Sequence, residues 1–372
     1  MTRKLATFRR VTALEPITGA DLIELALIDG WQCVVKKGEF KVGDIGVYFE
    51  IDSFLSADDE RYAFLEPRFI TFEGKRGARI KSMKLKGQLS QGLLLPLSLY
   101  PELSDFSVED KTYRAADLTD KQIAEVDLTE TLGIVKWEKV LPANLRGTAR
   151  GNFPHFIPKT DQERVQNIRD LFEKWGEEVF QETTKMDGSS LTAYTLLPSS
   201  PYFAGFAKAD ENGALPELVQ SVCSRNLDLV ETEDNMFWRI ARQEQLLEKT
   251  AALGRSLALQ GEMCGSSIQS NFEGFPADTH AFFLYDVWDI DAQEYMTPVQ
   301  VEHLAQELGI KHVPVGGHFR LNDIAKTKAD LLARAEHKGI NGKPAEGKVY
   351  KHAESGFSFK AISNSYLLKH GE

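Results

Sequence analysis

Apolar and polar positions alternate in two different textures along the chain. Up to about residue 137 the apolar residues come in short runs, among them Gln32-Cys33-Val34-Val35, Val47-Tyr48-Phe49-Glu50-Ile51 and Gly92-Leu93-Leu94-Leu95-Pro96, closed by turns that contain Gly or Asp. Short strands with this punctuation predict a small β-barrel. Further on, strand-like runs at 190–195, 256–264 and 281–290 are separated by stretches of helical spacing. Helices are expected at about 235–249, at 299–307 after Pro298, and at 323–337 after Asn322. Thr160 with Glu163 three residues later has the form of a capping box. Val165, Ile168, Leu171, Phe172 and Trp175 then recur at helical spacing until Gly176, which predicts another helix there. Residues 138–157 hold Pro142, Pro154, Gly147 and Gly151, with Arg146 and Arg150 interleaved, and this segment is expected to be a linker. The expected organisation is a barrel over 1–137, a linker over 138–157, and a mixed α and β domain over 158–372.

Composition narrows the class without naming a function. With 372 residues, 42% hydrophobic and 27% charged, the chain is long enough for two domains with real cores. A membrane helix takes a continuous apolar run of about 20 residues, and the sequence holds none, so no membrane helix is expected. Arg3, Lys4, Arg9 and Arg10 near the start are not followed by an apolar stretch, so the chain is expected to be intracellular and cytoplasmic. Three cysteines, Cys33, Cys223 and Cys264, lack metal-ligand spacing and argue for a reducing compartment. The net charge of −11 would oppose nucleic acid if it were evenly spread. Lys75, Arg76, Arg79, Lys81, Lys84 and Lys86 form a basic run against that trend. Such a run is either a solvated strand and turn or a phosphate-facing patch.

The chemistry is concentrated in a few spaced motifs. Lys185-Met186-Asp187-Gly188-Ser189-Ser190 is followed much later by Glu346-Gly347-Lys348-Val349-Tyr350-Lys351, and then by Lys360 in Phe357-Ser358-Phe359-Lys360. A lysine that has lost a proton can attack phosphorus or carbonyl carbon and hold the product covalently. Carboxylates close by suggest metal-assisted phosphoryl chemistry.

In this order the motifs resemble those of the covalent nucleotidyltransferases, the ATP-dependent RNA and DNA ligases and the GTP-dependent mRNA capping enzymes. Lys185 to Gly188 resembles the nucleophile motif, and Cys223-Ser224-Arg225-Asn226 the arginine-bearing one. Gln260-Gly261-Glu262-Met263-Cys264-Gly265, with Ile268-Gln269 and Asn271 after it, resembles the glutamate motif of RNA ligases. Tyr285 falls where an aromatic stacks on the purine, with Phe283 as the fallback, and Glu346 to Lys351 and Lys360 complete the set. Trp31, the Lys37-Gly38 turn, Val42-Gly43-Asp44 and Leu89-Ser90-Gln91-Gly92 resemble an OB-fold that some RNA ligases carry ahead of the core. The segment from Pro158 to Arg164 is similar to a signature whose arginine reaches the nucleotide triphosphate; the alternative for Arg164 is an exposed first-turn residue.

The resemblance implies an α+β chain: an N-terminal OB-like barrel, then a nucleotidyltransferase (ATP-grasp-like ligase) domain of antiparallel sheets and flanking helices with the nucleotide between the sheets. It implies Lys185 as nucleophile, with Lys351 and Lys360 neutralising the α-phosphate. Arg164, Asp187, Gly188, Arg225, Glu262, Tyr285, Phe283 and Glu346 would bind ATP or the strand to be joined. Asp187, Glu262 and Glu346 would hold Mg²⁺ or Mn²⁺, and Arg225 would grip a 5′-phosphate. Little sequence follows Lys360, so a downstream barrel of the kind usual in DNA ligases and capping enzymes is not expected. Two positions depart from the RNA-ligase pattern: Ile362 stands where many relatives have a second lysine, and Thr184 where a glutamate often precedes the nucleophile. The function expected is ATP-dependent joining of RNA 3′-hydroxyl and 5′-phosphate ends, in a nicked duplex or broken structured RNA, by a monomer. The alternatives are a DNA ligase, a capping-type enzyme, or a nucleic-acid-binding protein with a catalytically dead core.

Overall fold

The computed structural model describes residues 3–108, 111–137 and 149–370, and the chain divides into two compact units. The first unit takes Met1–Val140, Val165–Arg169 and Asn364–Glu372, and the second Leu141–Arg164 and Asp170–Ser363. The expected boundary near 137 therefore accounts for only part of the first unit, which also takes two later segments.

In the first unit the fully buried strand Ile45–Phe49 lies between Ala6–Arg10 and Leu93–Pro96, antiparallel to both. Ala13–Pro16, Ile23–Ile28 and Trp31–Lys36 form a second sheet. Trp31–Lys36 buries alternate residues, as the two-residue period of a strand with one covered face requires. Phe8, Val47, Phe49, Leu55, Tyr62 and Tyr100 are central to the core. Segment 165–169 is held into this unit by Asn167: its Oδ1 accepts from Arg9 and from Trp31 Nε1, each at 2.8 Å, and its Nδ2 donates to Glu50 at 2.8 Å. The basic run occupies the strands Lys75–Arg79 and Met83–Leu85 and the turn after them. Lys75, Lys81, Lys84 and Lys86 are exposed. Arg79 is turned inward instead, paired with Asp52 at 2.6 Å and stacked 3.8 Å over Trp137.

The second unit contains two sheets. The larger has seven strands, in spatial order Ala149–Asn152, Leu227–Leu229, Val219–Cys223, Ser189–Leu196, Leu257–Gly265, His280–Asp289 and Glu294–Tyr295. The smaller has Glu163–Arg164, Ser358–Ile362, Gly347–His352, Val179–Lys185 and Val315–Arg320. Helices Met236–Gln243, Leu246–Ala252 and Pro298–Leu308 supply Trp238, Ile240, Leu246, Val301 and Leu304 to the core on one face of the larger sheet. Pro298–Leu308 begins with a capping box at Thr297 and stops at Gly309, which adopts the left-handed conformation.

Three local expectations are corrected. No helix starts at Thr160: residues 163–164 pair as a strand with Phe359 and Lys360, and the helix is the short Leu171–Trp175. The expected linker falls partly on residues 138–148, outside the described residues; beyond them Ala149–Asn152 is a strand, and Phe156 and Ile157 are buried in the core. The helices expected over 235–249 and 323–337 are each broken in two. Gln245, with φ of 55°, interrupts the first, and the second becomes Leu321–Ile324 and Lys328–Ala335.

Candidate active site

The register of the smaller sheet puts its cations on one face. Antiparallel partners Lys185 and Gly347, Gln181 and Lys351, and Val349 and Lys360 are directly opposed. Opposed residues share a face, and so do residues two apart on a strand. Lys185, Lys351 and Lys360 therefore project from the same side, joined by Arg164, the parallel neighbour of Lys360. The larger sheet contributes the other wall. Ser190 opposes Glu262, which opposes Phe283, and Thr192 opposes Gln260, which opposes Asp286. A register shift after Gln260 leaves Tyr285 as the extra residue of a bulge.

Lys185, the last residue of its strand, donates to Glu346 Oε2 at 2.7 Å, a pair that is largely sheltered from solvent. Asp187 follows at the turn into the next strand. Gly188 must be glycine there, because a Cβ would lie 2.4 Å from Met263 O and 3.0 Å from Glu262 Cγ. Burial, reinforced by the charges of Glu346 and Asp187, pushes the Glu262 carboxyl up to about 8 despite the opposing effect of Lys185. Glu346 is likewise raised, chiefly by burial and with Asp187 adding to it. Carboxyls held this high mark a site where negative charge has been gathered ahead of a positive ligand. Among the described residues no three His, Cys, Asp or Glu side chains converge closely enough to enclose a metal ion. The expected trio of Asp187, Glu262 and Glu346 is thus an acidic neighbourhood, not a finished ligand cage.

The remaining expected residues separate into two groups. Lys351 is anchored between the sheets, its ammonium bonded to Tyr285 O and, at 2.6 Å, to Asp286. Lys360 lies 3.1 Å from Asp161, whose other carboxylate oxygen is 3.5 Å from Arg225. Tyr285 is half-buried, its hydroxyl 3.1 Å from Thr160 Oγ1 and 3.4 Å from Ser190 Oγ. Phe283 is buried with Met186, Cys264, Ala281 and Val313, which makes it a core residue. Arg164 is 4% exposed, so it is not an exposed first-turn residue. Thr184 faces away from Lys185, its hydroxyl 3.2 Å from His337 Nε2, and Ile362 is buried.

Two acids at the site carry no signal in the motifs themselves. Glu273 accepts from the Asp187 backbone N–H at 3.1 Å, and its carboxyl is raised by burial. Asp161 joins Lys360 to Arg225, although in the sequence it is only one letter of the Pro158 to Arg164 signature. Its position three residues before Arg164 is the available clue.

A family model for an OB-fold domain matches residues 5–97, and one for RNA ligase matches residues 178–362. No curated protein sequence matches. Among solved structures, a mutant of Naegleria gruberi RNA ligase without ligand superposes with a TM-score of 0.82 at 42% identity, covering 99% of each chain. A mutant of the same enzyme with ATP and Mn gives a TM-score of 0.81 at 42% identity, again over 99% of each chain. The enzyme with PPi gives a TM-score of 0.81 at 42% identity and the same coverage. An OB-fold region followed by a lysine-bearing two-sheet unit, matched over almost its whole length, places this chain in the RNA ligase family.

Proposed function

We propose that this chain joins RNA 3′-hydroxyl and 5′-phosphate ends with ATP, through a lysyl-AMP on Lys185. The observation that carries the reading is the Lys185–Glu346 pair on a sheet face that also bears Lys351, Lys360 and Arg164. The related Naegleria gruberi enzyme is known with ATP and Mn, with AMP and Mn, and with PPi, which are the nucleotide, the adenylate and the leaving group that such a reaction requires.

In the first step Lys185 Nζ attacks the α-phosphorus, the bond to the bridging oxygen of the β-phosphate breaks, and pyrophosphate leaves. The amine must lose a proton to do so, hence the ion pair to Glu346 has to loosen as ATP enters. An oxygen of the RNA 5′-phosphate then displaces the lysine from phosphorus. Finally the 3′-hydroxyl attacks the 5′-phosphorus and AMP departs, taking the bridging oxygen. Each displacement depends on alignment and on cations facing the phosphates, which the Lys351, Lys360 and Arg164 face provides. Lys360 and Arg225, held on Asp161, exchange that carboxylate for phosphate oxygens. Asp187, Glu262 and Glu346 are the residues to hold Mg²⁺ or Mn²⁺. An acidic neighbourhood that lacks a closed cage suits a cation whose remaining ligands are nucleotide phosphates and water. When bound, the cation neutralises charge on the phosphates. Tyr285 is the platform for the adenine, and the OB-fold unit a surface for RNA. The natural substrate class is a nicked duplex or broken structured RNA, sealed by a monomer.

The test is incubation with α-labelled ATP and Mg²⁺ followed by a denaturing gel, then sealing assays on RNA, DNA and mixed nicks. A labelled band that Lys185→Ala abolishes, with sealing only where the 3′-hydroxyl strand ends in ribonucleotides, is expected. Labelling that survives Lys185→Ala, or equal sealing of all-DNA nicks, would overturn the reading.

A further inference from the structure

Gln260 is 1% exposed, and only one end of its amide has a partner. Its Nε2 donates to Pro158 O at 2.9 Å. A backbone carbonyl can only accept, so the amide cannot be turned over, and Oε1 has to face the other way. There it has no hydrogen-bond partner. A buried acceptor left in this condition destabilises a fold unless something else occupies the position.

The missing donor has a place to come from. Gln260 lines a small solvent-open pocket with Phe153, Lys159, Thr160, Ser190, Thr192 and Arg225. The space suits a group the size of a hydroxyl and not a base. Its lining includes three hydroxyl side chains, a guanidinium and an ammonium. A ligand entering here therefore brings a hydroxyl donor with a phosphate close by, which is the chemistry of a ribose phosphate. On its strand Gln260 is two residues from Glu262 and shares its face, so the pocket opens on the same wall as the acidic neighbourhood.

We propose that Gln260 Oε1 accepts from a ribose hydroxyl and thereby makes this enzyme distinguish ribose from deoxyribose, a specificity role that rests on the RNA-ligase reading above. Two sources present the same chemistry: the ribose of ATP, and the terminal ribonucleotide of the strand being joined. Removing the acceptor lowers the preference for ribose at whichever step uses it, because the hydroxyl then loses its partner while deoxyribose loses nothing.

The experiment compares Gln260→Met, nearly the same length without the carbonyl, with the wild type in two arms. One measures lysyl-AMP formation from ATP, 2′-dATP and 3′-dATP. The other measures sealing of pre-adenylylated strands whose terminal residues are ribo or deoxy. The expected result is a ribose preference in one arm of the wild type that falls at least about tenfold in the variant. Wild-type protein without sugar preference in either arm overturns the proposal even if the variant does not fold. So does a variant that slows ribo and deoxy substrates equally, which would make the pocket a water site, or one whose defect follows the adenine 6-amino group. Absence of any ATP labelling in the wild type would instead defeat the ligase reading itself.

Discussion

Glu50 in the first unit and the acidic neighbourhood in the second show two opposite ways of burying a carboxylate. In the first, Glu50 is 2% exposed and receives Arg3 at 2.5 Å and Asn167 at 2.8 Å, so its charge is matched on the spot. In the second, Glu262, Glu273 and Glu346 are all raised by burial, and Glu262 reaches about 8. Paired charge inside a fold fixes geometry; clustered like charge costs stability and is kept where a ligand will relieve it. The difference separates a carboxylate already matched inside the fold from a cluster that a nucleotide and a cation would relieve.

Lys185→Ala should strike hardest. Covalent labelling by ATP falls more than about a thousandfold on a denaturing gel, because a methyl group cannot replace the nucleophile. Thermal unfolding should change little, since Glu346, whose carboxyl burial already raises, can take up a proton once its partner is gone. If labelling persisted, the second unit's carboxylates would have gathered around something other than this lysine.

Next is Glu346→Gln, expected to slow lysyl-AMP formation by about a hundredfold through misplacing Lys185. Single-turnover labelling under saturating ATP measures it. An unchanged rate would mean that the contact between the two side chains is incidental.

Asn167→Ala tests the opposite side of the comparison. Trp31 Nε1 and an Arg9 nitrogen lose their acceptor, so unfolding should become easier by about 1–3 kcal/mol in denaturant melts. Labelling per folded molecule stays within severalfold of wild type. A catalytic collapse without loss of stability would show that this network is not purely structural.

A fourth test uses pH. Unfolded, the Glu262 carboxyl has its ordinary value near 4.5; folded, it is raised to about 8. Between those limits the folded chain keeps a proton that the unfolded chain has lost, so stability falls as pH rises through the window, and the loss is complete above about 8. Glu262→Gln removes this slope. In chelator and without nucleotide its Tm should exceed that of the wild type near pH 8 and match it near pH 5. A wild-type curve as flat as the variant's would show that Glu262 is not held high.

Much of this is legible in the sequence, and the omissions have physical causes. Lys185, Glu346, Lys351 and Lys360 can be picked out because their motifs, in this order, resemble those of the covalent nucleotidyltransferases. Strand runs such as 256–264 are clear because their apolar texture is itself visible. Thr160 and Glu163 mislead because the same letters serve two purposes. The hydroxyl that would cap a helix bonds to Tyr285 instead, and the backbone at 163–164 joins a parallel strand from the far end of the unit's sequence. Lys351 is legible as a cation of the last motifs, whereas its partner Asp286, on a strand of the other sheet, is not. Glu273 lies in a turn without periodicity, and only the fold brings it to Asp187.

The interleaving of the units along the chain has a bearing on synthesis. The first unit needs Val165–Arg169 and Asn364–Glu372, and Gln91 Nε2 reaches Asn364 at 3.1 Å within it. Those last residues leave the ribosome after every strand of the second unit. An emerging N-terminal barrel therefore cannot be finished ahead of its successor, as a simple string of domains would be. Its core can assemble early, but its last segment docks only after the catalytic sheets have been synthesised, so completion of the OB-fold unit registers that the nucleotidyltransferase unit has already been made.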